Sequence, residues 1–509
     1  MSNFHSTVSR RDFMKGIGLA SVGLGTLSSV TPRFTDLDEI ISDEKANYKQ
    51  PWWVREQDQG VTEVDWDKKQ TFNQAQYDNR VAHLRPSPLD DEYRTLPGTP
   101  FSELYYSNMK TLIPSELYYS NMKTFIQENK PGFSLRDRGI YWGWASPLIK
   151  DILGYRRAGG IGSGSGESFT GYDFLDLVDT PESIGVPRWE GTPEENSRML
   201  RSALKLMGAS TVGFVEINDN NKKLVFTGSL LVGKPVVWED TENIYQTNEK
   251  QVIPNKCKWA VVYTIRQPLE TTKRGPSWIS DGAVGIAYDQ CDIVQYRLQA
   301  FLKCIGYQAV GGNLFGLGPL PAWGELSGLG EVGRLQNLIT PEFGPLIRES
   351  KFNLIDLPVA PTKPVNFGAQ RFCHTCLKCA DACPGNALQK NREPSWDITP
   401  KYDEYVKPEL FNSPGHKTWY FDHFKCRKFW EESASHCGVC QGTCVFSKEK
   451  LQSIHEFVKP VIGQTSLFNS FFYNMDRAFG YGLHSEDIEN WWDMNLPTFN
   501  IDYSEKPYI

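Results

Sequence analysis

The chain has 509 residues, of which 40% are hydrophobic, 13% aromatic and 23% charged, and its formal net charge is −7. This length exceeds the size at which a single hydrophobic core stops growing, so two or three domains are expected. The composition excludes a disordered chain. The acidic balance argues against a protein that binds nucleic acid.

The first 33 residues have the pattern of an export signal. Arg10 and Arg11 precede a short, glycine-rich and weakly apolar run over residues 16–25. A twin-arginine pair ahead of such a run is typical of a Tat signal peptide, and the run is too short to span a membrane. No later run reaches the roughly eighteen apolar residues of a spanning helix. We therefore expect an exported protein, soluble or peripheral once cleaved between Ser28 and Thr35.

Residues 34–190 are rich in aromatic residues, Gly and Pro, and show no clear periodicity. Within them, residues 102–111 recur identically at residues 115–124. The offset between the copies turns a helix by about 220°, so the copies would not share one helix face, and Pro114 would interrupt the helix. We interpret the repeat either as a recent local duplication in a tolerant surface segment or as an error in the sequence record. The glycine-rich residues 159–166 lack the Lys-Ser/Thr of a phosphate-binding loop and are expected to form a flexible loop.

From residue 191 the pattern is that of an α+β domain. Thr192, Pro193 and Glu195 combine a helix N-cap, a first-turn proline and a capping-box carboxylate, and this helix should end before Gly208. Further on, alternating apolar residues predict strands, and a second apolar stripe predicts another helix. The strands are expected over residues 211–217, 223–227 and 259–265, the helix over about 289–305, and a long Gly/Pro loop over 311–330.

The most specific signal is a pair of cysteine runs. Residues 373–384 read C-x2-C-x2-C-x3-C-P, the run with which two-cluster bacterial ferredoxins hold [4Fe–4S] clusters. The second run, residues 437–444, lacks its usual first cysteine because Ala434 stands there, and Cys426 is the displaced substitute. In such ferredoxins the fourth cysteine of each run reaches the other cluster. Zinc sites and disulfides fit two matched runs less well.

The crossing of the two runs predicts two sets of cluster ligands. The first set is Cys373, Cys376, Cys379 and Cys444. The second set is Cys383, Cys426, Cys437 and Cys440. No disulfide framework is implied by the three cysteines left over, which are Cys257, Cys291 and Cys304. Cys291 and Cys304 fall in the second predicted helix and are expected to be inert core residues.

Together these features resemble the corrinoid-dependent reductive dehalogenases of organohalide-respiring bacteria. The resemblance covers nearly the whole chain. It is carried by the twin-arginine leader, the cysteine runs and three short segments, residues 189–196, 339–345 and 479–482. The chain also contains no D-x-H-x-x-G, which agrees with the family's base-off cobamide because that motif would supply a histidine to the lower face.

The resemblance implies a domain order within the α+β fold. A nitroreductase-like corrinoid-binding core, residues 191–368, would precede a ferredoxin-like domain with two [4Fe–4S] clusters, residues 369–460. The N-terminal region, residues 34–190, would contribute to the corrinoid and substrate pocket. Residues 461–509 would form a C-terminal extension.

The resemblance also implies an active site. In the family a Tyr donates the proton with the help of an Arg and an Asn, and these match Tyr288, Arg348 and Asn313. Tyr288 lies at the predicted start of the second helix, where the helix dipole and the Arg charge would lower the pKa of the phenol. Trp430 matches a residue that gives the substrate pocket an apolar wall. From the residues alone, a packing role for Tyr288 and an ordinary ion pair for Arg348 stay open.

The resemblance implies a respiratory enzyme that removes halogen from a chlorinated ethene or aromatic compound with a cobamide and two [4Fe–4S] clusters. Its expected partners are the small haloorganic substrate, an electron donor of the respiratory chain and a small membrane-anchor protein. It would be peripheral on the outer face of the cytoplasmic membrane. One alternative is an exported two-cluster electron-transfer subunit, which predicts a much shorter chain. The other is an epoxyqueuosine-reductase-like enzyme, which the leader and the acidic chain disfavour.

Overall fold

The structure is a computed structural model, and it describes most of the chain beyond the leader. The described residues are 50–72, 116–134, 137, 160–161, 178–228, 235–247, 249–312, 317–398, 414–447, 453–478, 482–483 and 487–501. The predicted signal peptide and the first copy of the repeat lie outside these residues. No helix in the described part is long and apolar enough to cross a membrane.

Strands and helices are mixed along the described chain. The strands are β1 Arg55–Glu56, β2 Gly160–Ile161, β3 Thr211–Glu216, β4 Val236–Glu239, β5 Tyr245–Gln246, β6 Gln251–Pro254, β7 Trp259–Arg266, β8 Ala309–Gly312, β9 Glu331–Val332, β10 Leu338–Ile339, β11 Ile347–Ile355 and β12 Val365–Asn366. The α-helices are α1 Glu116–Gln127, α2 Pro181–Ile184, α3 Pro193–Met207, α4 Leu269–Thr272, α5 Trp278–Cys304, α6 Leu320–Leu326, α7 Ala369–Cys373, α8 Lys378–Ala382, α9 His423–Ser433, α10 Val439–Thr443, α11 Ser453–Gln464 and α12 Asn469–Ala478. Single 3₁₀ turns cover Asn221–Leu224, Glu489–Asp493 and Thr498–Asn500.

A five-stranded sheet forms the centre of the fold, in the order β2-β8-β11-β7-β3. The pair β2-β8 is parallel and the other pairs are antiparallel. Side chains of β7 alternate between the two faces, as a strand requires. Ala260 and Val262 join the core on the α6 side, whereas Val261 and Tyr263 join the core that α3 and α5 cover. Because both faces are covered, β7 is a continuous apolar run.

Helix α3 forms as its local signals predict. Thr192 and Glu195 make both hydrogen bonds of a capping box, Pro193 is the first helical residue, and Gly208 ends the helix in the left-handed region with φ 116°. Strands β3 and β7 likewise confirm the predicted strands at 211–217 and 259–265 within a residue. These elements carry their start and stop signals in the adjacent sequence.

Helix α5 begins eleven residues earlier than predicted, at Trp278 instead of about residue 289. Its N-cap is Ser277, whose side chain accepts a hydrogen bond from Ser280 N. Gly282 and Gly285 lower the intrinsic helix propensity of this stretch, but Ala283 and Ala287 are buried against the fold. Tertiary packing therefore extends the helix through glycines that suggest a loop in the sequence.

Three other local predictions were wrong. Residues 223–227 form no strand, since a 3₁₀ turn covers Asn221–Leu224. The predicted loop at 311–330 contains the end of β8 and all of α6, whose Trp323 is buried and stacks on Phe352 at 4.4 Å. In the predicted flexible loop at 159–166, Gly160–Ile161 is an edge strand, and residues 162–166 lie outside the described structure.

The leftover cysteines differ in burial. Cys257 and Cys291 are buried, as a small apolar residue should be, but Cys304 is exposed at the end of α5. The core prediction therefore holds for Cys291 and was wrong for Cys304, which is the last residue of the helix and is exposed.

The second copy of the repeat is structured. It forms most of α1, which lies against α9, and Asn121 Nδ2 donates to Glu432 O at 3.0 Å. Just after the copy, the ring of Phe125 contacts Phe133 at 5.3 Å, and Phe133 contacts Trp278 at 5.4 Å. This copy thus forms a surface helix that contacts α9, and its tolerance to change stays a prediction.

The cysteine region has a hydrophobic core of its own. Aromatic edge contacts join Trp53 to Phe367, and Phe367 and Phe372 to Phe446. The same core includes the buried cysteines of the first run. Strand β1 pairs with β12, so the beginning of the described chain is attached beside this region.

Candidate functional site

Tyr288 and Arg348 meet between α5 and the central sheet. The Arg348 Cζ atom lies 4.6 Å from the centroid of the Tyr288 ring. Both residues are half-buried. Arg348 stands opposite Ile265 of β7, and the register of the pairing shifts between Arg348 and Lys351. Irregularities of this kind re-aim side chains near functional sites, and here the guanidinium is directed at the phenol ring.

The position of Tyr288 in its helix corrects one part of the sequence argument. Tyr288 lies about three turns inside α5, whereas the helix dipole acts mainly on the first turn. The dipole therefore contributes little positive potential at the phenol. The nearby source of positive charge is the Arg348 guanidinium.

Two glutamines that the sequence analysis missed hold Arg348. Its Nη1 donates to Gln267 Oε1 at 3.1 Å and to Gln441 Oε1 at 3.4 Å. Gln267 is fully buried, and its Nε2 donates to Thr272 Oγ1 at 2.8 Å, which fixes the orientation of the amide. Gln441 belongs to the second cysteine run, and its Nε2 donates to Pro345 O at 3.2 Å. No local motif signals these contacts, because they join segments far apart in sequence.

The structure does not place the other two predicted site residues, Asn313 and Trp430, in contact with Tyr288 among the contacts it describes. Asn313 lies outside the described residues, at the position directly after the end of β8. Trp430 is on α9, half-buried, and its ring makes an edge contact with His436 at 5.3 Å. His436 N in turn donates to Asp281 Oδ1 at 2.8 Å. Trp430 is thus connected to α5 two turns before Tyr288.

The structure brings the eight cysteines of the runs together in two groups. In the first, burial and the neighbouring thiols of Cys373 and Cys444 raise the pKa of Cys376. The same three thiols surround Cys379. This grouping puts the last cysteine of the second run beside the first three of the first run.

The second group contains the displaced cysteine. Burial and the thiols of Cys440, Cys426 and Cys383 raise the pKa of Cys437. Cys440 also lies near Cys426 and Cys383. Ala434 ends α9 in the left-handed region with φ 52°, so the chain turns at the position where the missing first cysteine would stand. Cys426 enters the group from within α9.

The thiol environments fit iron–sulfur clusters. Burial raises the pKa of Cys373 to about 11 and that of Cys440 to about 12, so metal-free thiols would stay protonated, whereas a coordinated thiol loses its proton. Among the described residues, no three His, Cys, Asp or Glu are arranged to hold one metal ion. A zinc site needs four ligands within about 2.3 Å of one ion. Two groups of four cysteines match in number the four thiolate ligands that a [4Fe–4S] cluster takes.

A buried arginine lies beside the first group of cysteines. Arg334 is fully buried, and its guanidinium donates to the carbonyls of Cys373, Cys376, Gln389 and Asn391 at 2.6–3.1 Å. Its backbone N–H donates to Cys373 Sγ at 3.5 Å. Burial lowers the pKa of Arg334, and the nearby thiols oppose that shift. The sequence analysis did not single out this residue.

One of the two cysteine groups lies close to Tyr288 and Arg348. Burial raises the pKa of Cys440, and the positive charge of the nearby Arg348 opposes that shift. Cys379 of the first group lies near Cys440 of the second. The second group therefore lies next to the Tyr288 and Arg348 pair, since Arg348 also donates to Gln441, the residue after Cys440.

The first turn of α5 is fixed to the second cysteine run. Trp278 Nε1 donates to Ala434 O at 2.7 Å, and Ser280 Oγ donates to Cys437 O at 3.1 Å. Gly275 also packs tightly there, since a β-carbon on it would lie 2.3 Å from Cys437 O. These contacts hold the helix that carries Tyr288 in register with the cysteines.

A cluster of unsatisfied amides lies further along α5. Gln295 and Asn353 are both fully buried, and in the described structure their side-chain nitrogen and oxygen atoms have no hydrogen-bond partner. Both converge on Gly311 of β8. Buried amides without partners fit a bound ligand that carries amide groups.

Comparison with known proteins identifies the family. A family model described as a reductive dehalogenase subunit matches residues 115–359. The chain is 30% identical to the chloroethene reductive dehalogenase of Dehalococcoides mccartyi strain VS, over 99% of each chain. It is 29% identical to the trichloroethene reductive dehalogenase of D. mccartyi strain ATCC BAA-2266 / KCTC 15142 / 195, over 97% of this chain and 98% of that one.

A solved structure agrees in fold. It is a reductive dehalogenase for which a mechanism of B12-dependent dehalogenation has been suggested, and it matches with a TM-score of 0.55 at 21% identity. The match covers 86% of this chain, which spans half the length of the solved chain. The chain belongs to the reductive dehalogenases, which are oxidoreductases that depend on a corrinoid and iron–sulfur clusters.

Proposed function

We propose that this enzyme removes a halogen from a chlorinated ethene during respiration, with a base-off cobamide, two [4Fe–4S] clusters and Tyr288 as the proton donor. The observation that carries the proposal is the Arg348 guanidinium, which lies over the Tyr288 ring and next to the second cysteine group. In this reading the central sheet with its helices is a nitroreductase-like corrinoid-binding core. The cysteine region is a ferredoxin-like domain.

The chain supplies the ligands of both clusters. Cys373, Cys376, Cys379 and Cys444 would hold one cluster. Cys383, Cys426, Cys437 and Cys440 would hold the other. Since the second set lies next to Arg348, we expect electrons to enter at the first cluster and to leave toward the substrate from the second.

The reaction needs two electrons and one proton, because a carbon–halogen bond is replaced by a carbon–hydrogen bond and a halide ion leaves. The corrinoid, when bound, supplies the low-potential cobalt that cleaves the carbon–halogen bond. Tyr288 donates the proton from its phenol oxygen. The adjacent guanidinium stabilises the phenolate that this transfer leaves, and Gln267 keeps the guanidinium in place.

The substrate class follows from the relatives. The most complete matches are named for chloroethene and trichloroethene, so a chlorinated ethene is preferred here over a chlorinated aromatic compound. Trp430 would form an apolar part of the pocket wall, with Asn313 orienting the phenol or the halogen. We further propose export by the twin-arginine route, attachment to the outer face of the cytoplasmic membrane through a small anchor protein, and a respiratory electron donor.

The alternatives fit less well. A two-cluster electron carrier would not need the central sheet and its Tyr288 and Arg348 pair. An epoxyqueuosine reductase is disfavoured because the match to reductive dehalogenases extends over the whole chain.

Chloride release tests the proposal. The anaerobically purified enzyme, loaded with its cofactors and reduced with a low-potential viologen, should release chloride from trichloroethene faster than from a chlorinated phenol. The reverse preference would contradict the substrate class. No halide from either compound, with both cofactors present, would contradict the proposed activity itself.

A further inference from the structure

We infer that Gln295, Asn353 and Gly311 form a subsite that binds peripheral carboxamide groups of the corrinoid. The inference rests on the proposed function, because it assigns residues to a cofactor that this function requires. None of the sequence motifs or cysteine runs gives these three residues a role.

The two amides are in an energetically unfavourable state unless something binds them. Both side chains are 0% exposed. Within the described structure, neither the oxygen nor the nitrogen of either amide has a hydrogen-bond partner. A buried polar group without a partner loses its hydration and gains nothing in return. A ligand that supplies the missing donors and acceptors recovers that free energy when it binds.

The two amides converge at one point of the sheet. A β-carbon on Gly311 would lie 2.2 Å from Asn353 Oδ1 and 2.8 Å from Gln295 Nε2. Gly311 also pairs directly with Asn353 across β8 and β11. Only a residue without a side chain leaves both amides this close to the backbone. The site is therefore built from three segments and does not arise from one flexible side chain.

The location connects this cluster with the proposed reaction site. Helix α5 carries Tyr288 and, seven residues later, Gln295. Two helical turns separate them, so both residues lie on one face of α5, roughly 10 Å apart. Strand β11 carries both Arg348 and Asn353. A ligand that contacts both Tyr288 and the amide cluster must therefore span at least about 10 Å.

The chemistry of the cluster selects a neutral ligand group. Together the two side chains offer two carbonyl acceptors and two NH2 donors. An anion would leave the carbonyl oxygens without a donor, and a cation would leave the NH2 groups without an acceptor. A primary carboxamide satisfies both kinds of atom. The corrin ring carries several such carboxamides at its edge, and it is large enough to span the distance between Tyr288 and the amide cluster.

Corrinoid affinity tests the inference with a readout that does not depend on turnover. Corrinoid-free protein with reconstituted clusters would be titrated with hydroxocobalamin and followed by absorbance. Gln295→Leu and Asn353→Leu should each raise the Kd by roughly five- to fiftyfold, the weight of one or two hydrogen bonds. Gln251→Leu is the matched control, because Gln251 is equally buried but lies in a different sheet, where its Nε2 donates to Gln246.

The stability of the corrinoid-free protein separates a ligand site from an internal water site. If the amides await the cofactor, leucine removes unsatisfied polar atoms, and the corrinoid-free variants should be as stable as the parent or more stable. Unchanged corrinoid affinity together with a loss of stability would show that the amides hold internal water, and would overturn the inference.

A second measurement changes the corrin as well as the protein. Cobinamide, which keeps the peripheral carboxamides, should bind the parent protein more tightly than a cobyrinate in which methyl esters replace them. The difference should shrink in Gln295→Leu and Asn353→Leu, as expected for interacting pairs. Equal binding of the two corrins by the parent protein would overturn the inference. Failure of the parent protein to bind any corrin would instead refute the proposed function.

Discussion

Tyr288 is the residue on which the proposed chemistry depends most. Tyr288→Phe keeps the ring and removes the hydroxyl, so dehalogenation should fall by about 10²–10⁴-fold, the usual weight of a positioned general acid, while corrinoid and iron content stay unchanged. Tyr296→Phe, eight residues later on α5 and also half-buried, is the control. Near-normal turnover in Tyr288→Phe would assign the proton to water or to another group. Tyr288 would then be an ordinary packing residue.

The position of the Arg348 guanidinium can be tested through its glutamine partner. Gln267→Met keeps the volume of the side chain but removes the oxygen that accepts from Arg348 Nη1 at 3.1 Å. We expect kcat to fall by roughly ten- to a hundredfold at nearly constant KM, since small displacements of a catalytic group cost about that much. Gln251→Met should leave kcat unchanged. A rise in KM alone would mean that Gln267 shapes binding and not the transition state.

The displaced cysteine gives a prediction about cluster content. Cys426→Ala should damage the cluster held by Cys437 and Cys440 and leave the other cluster intact, because Cys426 lies near both thiols. Electron paramagnetic resonance of the reduced protein distinguishes the two clusters. Cys304→Ala, at an exposed thiol outside both groups, is the control. Two intact clusters in Cys426→Ala would show that another group completes the site.

At the scale of elements, the junction between α5 and the second cysteine run should contribute measurable stability. Trp278→Phe leaves the buried Ala434 carbonyl without the Trp278 donor, which should cost about 1–3 kcal/mol beyond the loss of ring volume. Trp323→Phe is a matched control, because Trp323 is equally buried and its Nε1 has no hydrogen-bond partner in the described structure. Anaerobic denaturant titrations of the two variants would measure the difference. Equal losses would mean that the hydrogen bond contributes nothing.

How well each element could be predicted depends on where its signals lie. Helix α3 was predicted correctly because its N-cap, proline and terminal glycine are all local. The start of α5 was missed because Gly282 and Gly285 weaken the helical pattern, while burial against the sheet and the cysteine run stabilises the helix. Helix α6 was missed inside a Gly/Pro stretch because its stability comes from Trp323 stacking on Phe352, a contact between distant segments.

For the whole molecule, the spacing of the cysteines predicts far more than the rest of the sequence does. The two groups that the structure brings together have the composition that the crossing of the runs predicts. The spacing of the cysteines within each run is local, so it can be read from the sequence. Tyr288 and Arg348 were singled out only through a family resemblance, and the structure brings them together. Gln267, Arg334 and the buried amides were not predictable, because each acts through contacts between segments far apart in sequence.

The iron and cobalt content of the protein shows whether both kinds of cofactor are bound. We propose that this chain carries one corrinoid and two [4Fe–4S] clusters beside the Tyr288 and Arg348 pair. Elemental analysis of anaerobically purified or reconstituted protein should give about eight iron atoms and about one cobalt atom per chain, since each cubane holds about four iron atoms. About four iron atoms and no cobalt, in a sample that is folded and fully reconstituted, would contradict the ligand sets and the corrinoid together.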